Sequence, residues 1–143
     1  MISCTDFIPA YSEFFKFLEK KGGKKAVVNF WEYLSDKYLA ELKSLVKKHG
    51  LKGCWIYWSK TLNEEAADFR MELDEERGIF RIKMHKCPSK ARLIKEKNIR
   101  PYSNYCKHCI LYGWILEPLG YSYTIDLSNT DRAKCSIVVK KKD

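Results

Sequence analysis

The hydrophobic positions of this chain change period along its length, and the changes mark out its elements. Over residues 6–21 Phe7, Tyr11, Phe14, Phe15 and Leu18 recur at helical spacing on one broad face. Thr5 or Asp6 is placed to cap the start, Pro9 falls in a first turn, and Gly22-Gly23 ends the segment. A longer stripe then runs from about Lys24 to His49: Val27, Trp31, Leu34, Tyr38, Leu42 and Leu45 recur every three or four residues. Gly50 and Gly53 are predicted to close this helix, with Lys47, Lys48 and His49 near the negative end of its dipole. Residues 54–66, opening Cys54-Trp55-Ile56-Tyr57-Trp58, fit either a short helix or a buried strand.

The period then drops to two. Phe69, Met71 and Leu73 alternate with polar neighbours, Asp74 to Gly78 supplies a turn, and Phe80, Ile82 and Met84 alternate with Arg81, Lys83 and His85. This predicts an antiparallel hairpin with one apolar face. Pro88 ends it, and residues 89–97 read as a short basic helix. A connector with Pro101 leads to a helix capped by Ser103 or Asn104 and stopped by Pro118 and Gly120. Two more strands follow, carrying Tyr121, Tyr123, Ile125 and Leu127, then Cys135, Ile137 and Val139, joined by the turn residues Ser128 to Asp131. The order ααββααββ predicts an α+β fold: a four-stranded antiparallel sheet with helices packed on one face. At 143 residues the expectation is a single domain, with an N-terminal helical pair over 1–53 and a cysteine-bearing α+β part over 67–140.

Composition sharpens this picture in two ways. Aromatic residues reach 14%, enough for bulky core and for an aromatic-lined pocket; Trp58, with Trp55 and Tyr57, is a candidate substrate-binding residue. No apolar run approaches a membrane span and the first residues carry no secretory pattern, so the expected location is cytoplasmic, without membrane attachment. The formal charge is +9, and residues 86–107 hold seven basic residues against Glu96 alone. That stretch reads as a solvated basic helix or as an attractor for a small anionic metabolite. Arg92 and Arg100 are the candidates to grip a carboxylate. No nucleic-acid motif accompanies the charge, so nucleic acid is the least supported partner. The amino-terminal helices fit pairing within one chain or between two chains of a homodimer.

The cysteines are the chemical signal. Four of the six fall late, at Cys87, Cys106, Cys109 and Cys135; two form the unit Cys106-Lys107-His108-Cys109, and His85 precedes Cys87-Pro88. In a reducing compartment these are expected as thiols or metal ligands, not disulfides. Three readings stand side by side. Cys87, Cys106, Cys109 and one of Cys135, His85 or His108 bind zinc, as Cys-x-x-Cys spacing favours. A cysteine, with Cys106 preferred, is a nucleophile with His85 or His108 as base. Or the cysteines are small buried hydrophobes. If Ser103 caps the late helix, Cys106 lies in its first turn, where dipole and free amides lower a thiol pKa.

The succession Cys87-Pro88, Tyr105-Cys106-Lys107-His108-Cys109, Leu116-Glu117-Pro118-Leu119-Gly120 and Asp131-Arg132-Ala133-Lys134-Cys135 resembles the L-2-amino-thiazoline-4-carboxylic acid hydrolase-like family across residues 67–140. It is more remotely similar to 4-vinyl reductase-type domains. The first resemblance implies an α+β domain and hydrolysis of a thiazoline ring, with Cys87, Cys106, Cys109 and Cys135 at the matching positions. The second implies a non-catalytic module that senses a small ligand or a metal.

Overall fold

The computed structural model describes residues 4–143; Met1-Ile2-Ser3 and the side chains of Cys4 and Thr5, with the expected Thr5 cap, lie outside the described residues. Helix α1 spans Cys4–Tyr38 but is broken where the sequence predicts, because Gly22 and Gly23 leave helical geometry. Gly23 takes φ 70°, ψ −175°, a conformation open essentially to glycine alone. The two limbs fold back on each other through aromatic pairs: Phe14 meets Phe30 at 4.9 Å between ring centroids, and Phe15 meets Trp31 at 5.4 Å.

The expected single helix over 24–49 is two helices. The second limb of α1 ends at Tyr38, and α2 (Ala40–His49) begins after Leu39. Buried Leu39 and Leu42 extend the apolar stripe past this break, so the side-chain period hides it. Gly50, at φ 59°, separates α2 from α3 (Leu51–Glu64), and Gly53 lies inside α3 instead of closing α2. The segment that fitted helix or strand is therefore helical. It buries Leu51, Cys54, Tyr57, Trp58 and Leu62, a spacing of three and four that decides for helix.

Strands β1 (Asp68–Asp74) and β2 (Ile79–Lys86) form the expected hairpin. Helix α4 (Pro88–Lys95) follows with Cys87 as its N-cap and Pro88 at the first position. The predicted helix over 104–117 is a six-residue 3-10 turn, Tyr105–Ile110, running into the short α5 (Leu111–Leu116). Asn104 occupies the cap position without a side-chain cap hydrogen bond. Strands β3 (Tyr121–Asp126) and β4 (Cys135–Lys141) complete a fully antiparallel sheet of order β1-β2-β4-β3.

The register puts Met71, Ile82, Ile137 and Ile125 in one cross-strand row, and Leu73, Phe80, Val139 and Tyr123 in the next. These inward rows pack under α2, α3 and α5, while Arg70, Arg81, Lys83 and Ser136 line the opposite, open face. The fold is thus α+β with helices on one face of a four-stranded antiparallel sheet. A second core, Phe15, Val27, Trp31, Leu93, Tyr102 and Tyr105, holds the α1 hairpin against α4 and the 3-10 turn. Two buried serines add polar ties: Ser35 Oγ of α1 donates to the Leu111 carbonyl of α5 at 2.9 Å, and the Tyr102 amide donates to Ser12 Oγ at 2.8 Å within the helical core. Among the described residues, no helix is long and apolar enough to cross a membrane.

Candidate functional site

Where the two cores meet they leave a cavity of about 130 Å³. Trp58, Ile82, Met84 and Ile137 of the sheet core wall one side, and Tyr105 of the helical core walls the other. Cys87, Cys106, Cys109 and Cys135 all line it, with His108. Residues spread over 49 positions of sequence converge because α4, the 3-10 turn and β4 all end there. The Cys87 amide donates to the Ala133 carbonyl at 2.7 Å, which ties the start of α4 to the segment entering β4.

The 3-10 turn presents His108 and Cys109 together. The Tyr105 carbonyl can only accept, so its contact with His108 Nδ1 fixes the proton on Nδ1. The lone pair of the neutral ring is left on Nε2, which lies 3.9 Å from Cys109 Sγ. Tyr11, Phe15 and Tyr105 surround the imidazole with ring centroids 5.8, 5.9 and 4.8 Å away. This burial pulls the His108 pKa below its ordinary 6.5, although the Tyr105 carbonyl and Glu65 oppose the shift. Tyr123 Oη donates to the Cys109 carbonyl at 2.9 Å and so fixes the backbone under the thiol. Gly113 makes room for that tyrosine: a Cβ there would stand 3.1 Å from its ring.

All four thiols are pushed above their ordinary 9.0, chiefly by burial: Cys106 to about 11, Cys109 and Cys135 to about 12. Cys109 and His108 line the cavity and keep some accessible surface. The expected dipole-activated thiol therefore belongs elsewhere. Cys106 sits in an uncapped 3-10 turn, with only Lys90 lowering its pKa. Cys87 occupies the helix start and feels the α4 amides of Lys90 and Ser89, yet burial still raises it.

The remaining sequence candidates divide clearly. Trp58 lines the cavity and stacks on Phe80 at 5.6 Å. His85 is on the outer side of the sheet, in a shallow groove with Lys83, Asp126, Asn129 and Lys134, and is not brought to His108. Arg92 is held by Glu96 at 2.9 Å and Asp6 at 3.6 Å over a different groove, and Arg100 is exposed. The cations that reach the cavity are instead Lys90 and Lys134. Glu65, at the end of α3, also lines it; burial first and Glu64 second raise its pKa. Nothing in the alternation or spacing around Glu65 marked it, because the segment before it had no settled period.

The four cysteines share one chamber, but among the described residues no three His, Cys, Asp or Glu side chains are grouped to hold a metal ion. Comparison with family models, curated proteins and solved structures finds no match to this chain. The likeness to the thiazoline hydrolase-like family accordingly rests on its short motifs.

Proposed function

We propose that this chain hydrolyses a cyclic C–N bond in a small anionic ring compound of the thiazoline-carboxylate type, with Cys109 as nucleophile and His108 as its base. The observation that carries the reading is the Cys109 Sγ–His108 Nε2 pair, its tautomer fixed by Tyr105, on the wall of a cavity. A thiol and an oriented base within reach are the parts that nucleophilic catalysis requires. The ring matches in size: a cavity of about 130 Å³ is close to the roughly 150 Å³ that accommodates benzene, so a five-membered ring fits. Lys90 and Lys134 supply positive charge for a carboxylate, the role expected of Arg92 and Arg100.

Because both partners are neutral, activation occurs during attack and not beforehand. Sγ adds to the C=N carbon of the ring while its proton passes through Nε2 to the ring nitrogen. Collapse of the adduct, as the exocyclic amino group passes a proton to that nitrogen and becomes C=NH, releases the nitrogen as a primary amine and leaves the carbon on the Cys109 sulfur. Water then attacks the carbon, gives one proton to the imine nitrogen and the other through Nε2 to the departing Cys109 sulfur, so that one water is consumed and the thiol is restored. General-base assistance of this kind contributes about 10²–10⁴-fold.

A second reading has its own support. Uncharged thiols in a largely apolar chamber also suit a module that binds a small ring without turning it over, as the vinyl-reductase-type likeness implies. Incubation of the purified protein with 2-amino-thiazoline-4-carboxylate, followed for release of a primary amine from the opened ring, separates the two. Turnover by the wild type that disappears in Cys109→Ala supports hydrolysis. Binding without turnover supports the module, and turnover retained in Cys109→Ala removes the nucleophile. Elemental analysis of the same sample decides zinc.

A further inference from the structure

We infer that Cys106 and Cys109 form a dithiol site that closes to an intrachain disulfide on exchange with a low-molecular-weight disulfide, whether or not the cavity hydrolyses anything. The geometry rests on the 3-10 turn that carries them, Tyr105–Ile110. Its first hydrogen bond runs from the Lys107 amide to the Asn104 carbonyl, three residues back, at 2.9 Å. Side chains three apart eclipse in such a turn, and three steps of about 2.0 Å put the two Cα atoms about 6 Å apart, inside the roughly 4.4–6.8 Å that a disulfide bridges. In an α-helix the same pair would be rotated off register. Both thiols face the same cavity, so neither must cross packed side chains to reach the other. Pairing with Cys87 or Cys135 would instead join separate elements, the α4 cap or the start of β4, and would require those elements to shift.

The two positions differ in a way that gives them distinct roles. Cys106 is the less deeply buried and has the Lys90 ammonium beside it, so a bulky disulfide meets it first. Cys109 has His108 Nε2 at 3.9 Å to take its proton. In the first step Cys106 sulfur attacks one sulfur of RSSR, forming a mixed disulfide and releasing one RSH, which carries the Cys106 proton. In the second, Cys109 sulfur attacks Cys106 Sγ; its proton passes through Nε2 to the departing sulfur and a second RSH leaves. Two protein thiols are oxidised, RSSR is reduced to two RSH, and no other reactant is needed. Closure withdraws Cys109 from His108, so the oxidised chain lacks the thiol–imidazole pair.

The test uses the full chain and oxidised glutathione, with intact mass and peptide mapping as readouts and no assay of turnover. The wild type is expected to lose two hydrogens in mass and two titratable thiols, with a mapped Cys106–Cys109 link that a dithiol reductant reverses. Cys109→Ser is expected to stop at one glutathione adduct on Cys106, and Cys106→Ser to leave Cys109 unmodified over the same time. A wild type that stays fully reduced, a link to Cys87 or Cys135, or an adduct on Cys109 in Cys106→Ser as fast as on Cys106 in Cys109→Ser would overturn the assignment. Since mass alone is read, failure here leaves the hydrolysis reading standing, and the reverse holds.

Discussion

Cys54 and Cys109 are chemically the same residue, and burial pushes both thiols to about 12, yet the molecule sets them in different surroundings. Cys54 is fully buried on α3, in the core that also holds Val46, Leu51 and Trp58, and does not line the cavity. Cys109 faces a cavity, beside an imidazole lone pair and over a backbone held by Tyr123. Desolvation acts alike on the two and therefore does not distinguish a structural cysteine from a reactive one. The difference lies in free volume and in a base within reach.

The largest effect is expected from Cys109→Ala, which abolishes turnover of the thiazoline carboxylate, whereas Cys54→Ala retains it; steady-state kinetics of both variants checks this. Next, His108→Gln keeps a polar group of similar reach but no base, and is expected to lower kcat/KM by about 10²–10⁴-fold. Its melting temperature should stay near that of the wild type.

A stability contrast follows. Cys54→Leu forces extra carbons into a filled core and is expected to cost about 1–3 kcal/mol. Cys109→Leu has the cavity to grow into and should cost less than Cys54→Leu in thermal or urea unfolding. Equal costs would mean that the space beside Cys109 is not there.

The smallest effect at ordinary pH comes from titration. In the unfolded chain these thiols ionise near their ordinary 9.0, while Cys54 and Cys109 in the fold hold their protons to about 12. Above pH 9 the unfolded state therefore binds fewer protons, and stability falls as pH rises from 9 towards 12. His108 acts at the other end. Its folded pKa lies below 6.5, so the unfolded state gains a proton first and stability falls as pH drops below 6.5. Replacing His108 by Gln should flatten the acid limb of a pH–stability profile and leave the alkaline limb in place.

Much of this fold was legible in the chain because alternation reports on burial directly. The hairpin, its turn at Asp74 to Gly78, the last two strands and the Gly22-Gly23 break all follow from period and turn chemistry. The break at Leu39 was not legible, since Leu39 and Leu42 continue the apolar stripe across it. Nor was the 3-10 turn, whose spacing of three looks like either helix type. That single difference moved the chemistry. The sequence set Cys106 at the mouth of an α-helix with His85 or His108 as base, and the turn pairs His108 with Cys109 instead. Convergence of the four late thiols on one cavity was within reach of the strand and helix ends. Lys90, Lys134 and Glu65 were not, because which charged side chain turns inward depends on tertiary packing.

The most direct test of the central claim is residue-resolved alkylation of the native chain by iodoacetamide, small enough for the cavity, at neutral pH. Mass mapping should show Cys109 labelled well ahead of Cys54, with the Cys109 rate falling about a hundredfold or more in His108→Gln, the low side of what a positioned base contributes. Cys109 reacting as slowly as Cys54, or at an unchanged rate without His108, would contradict the account.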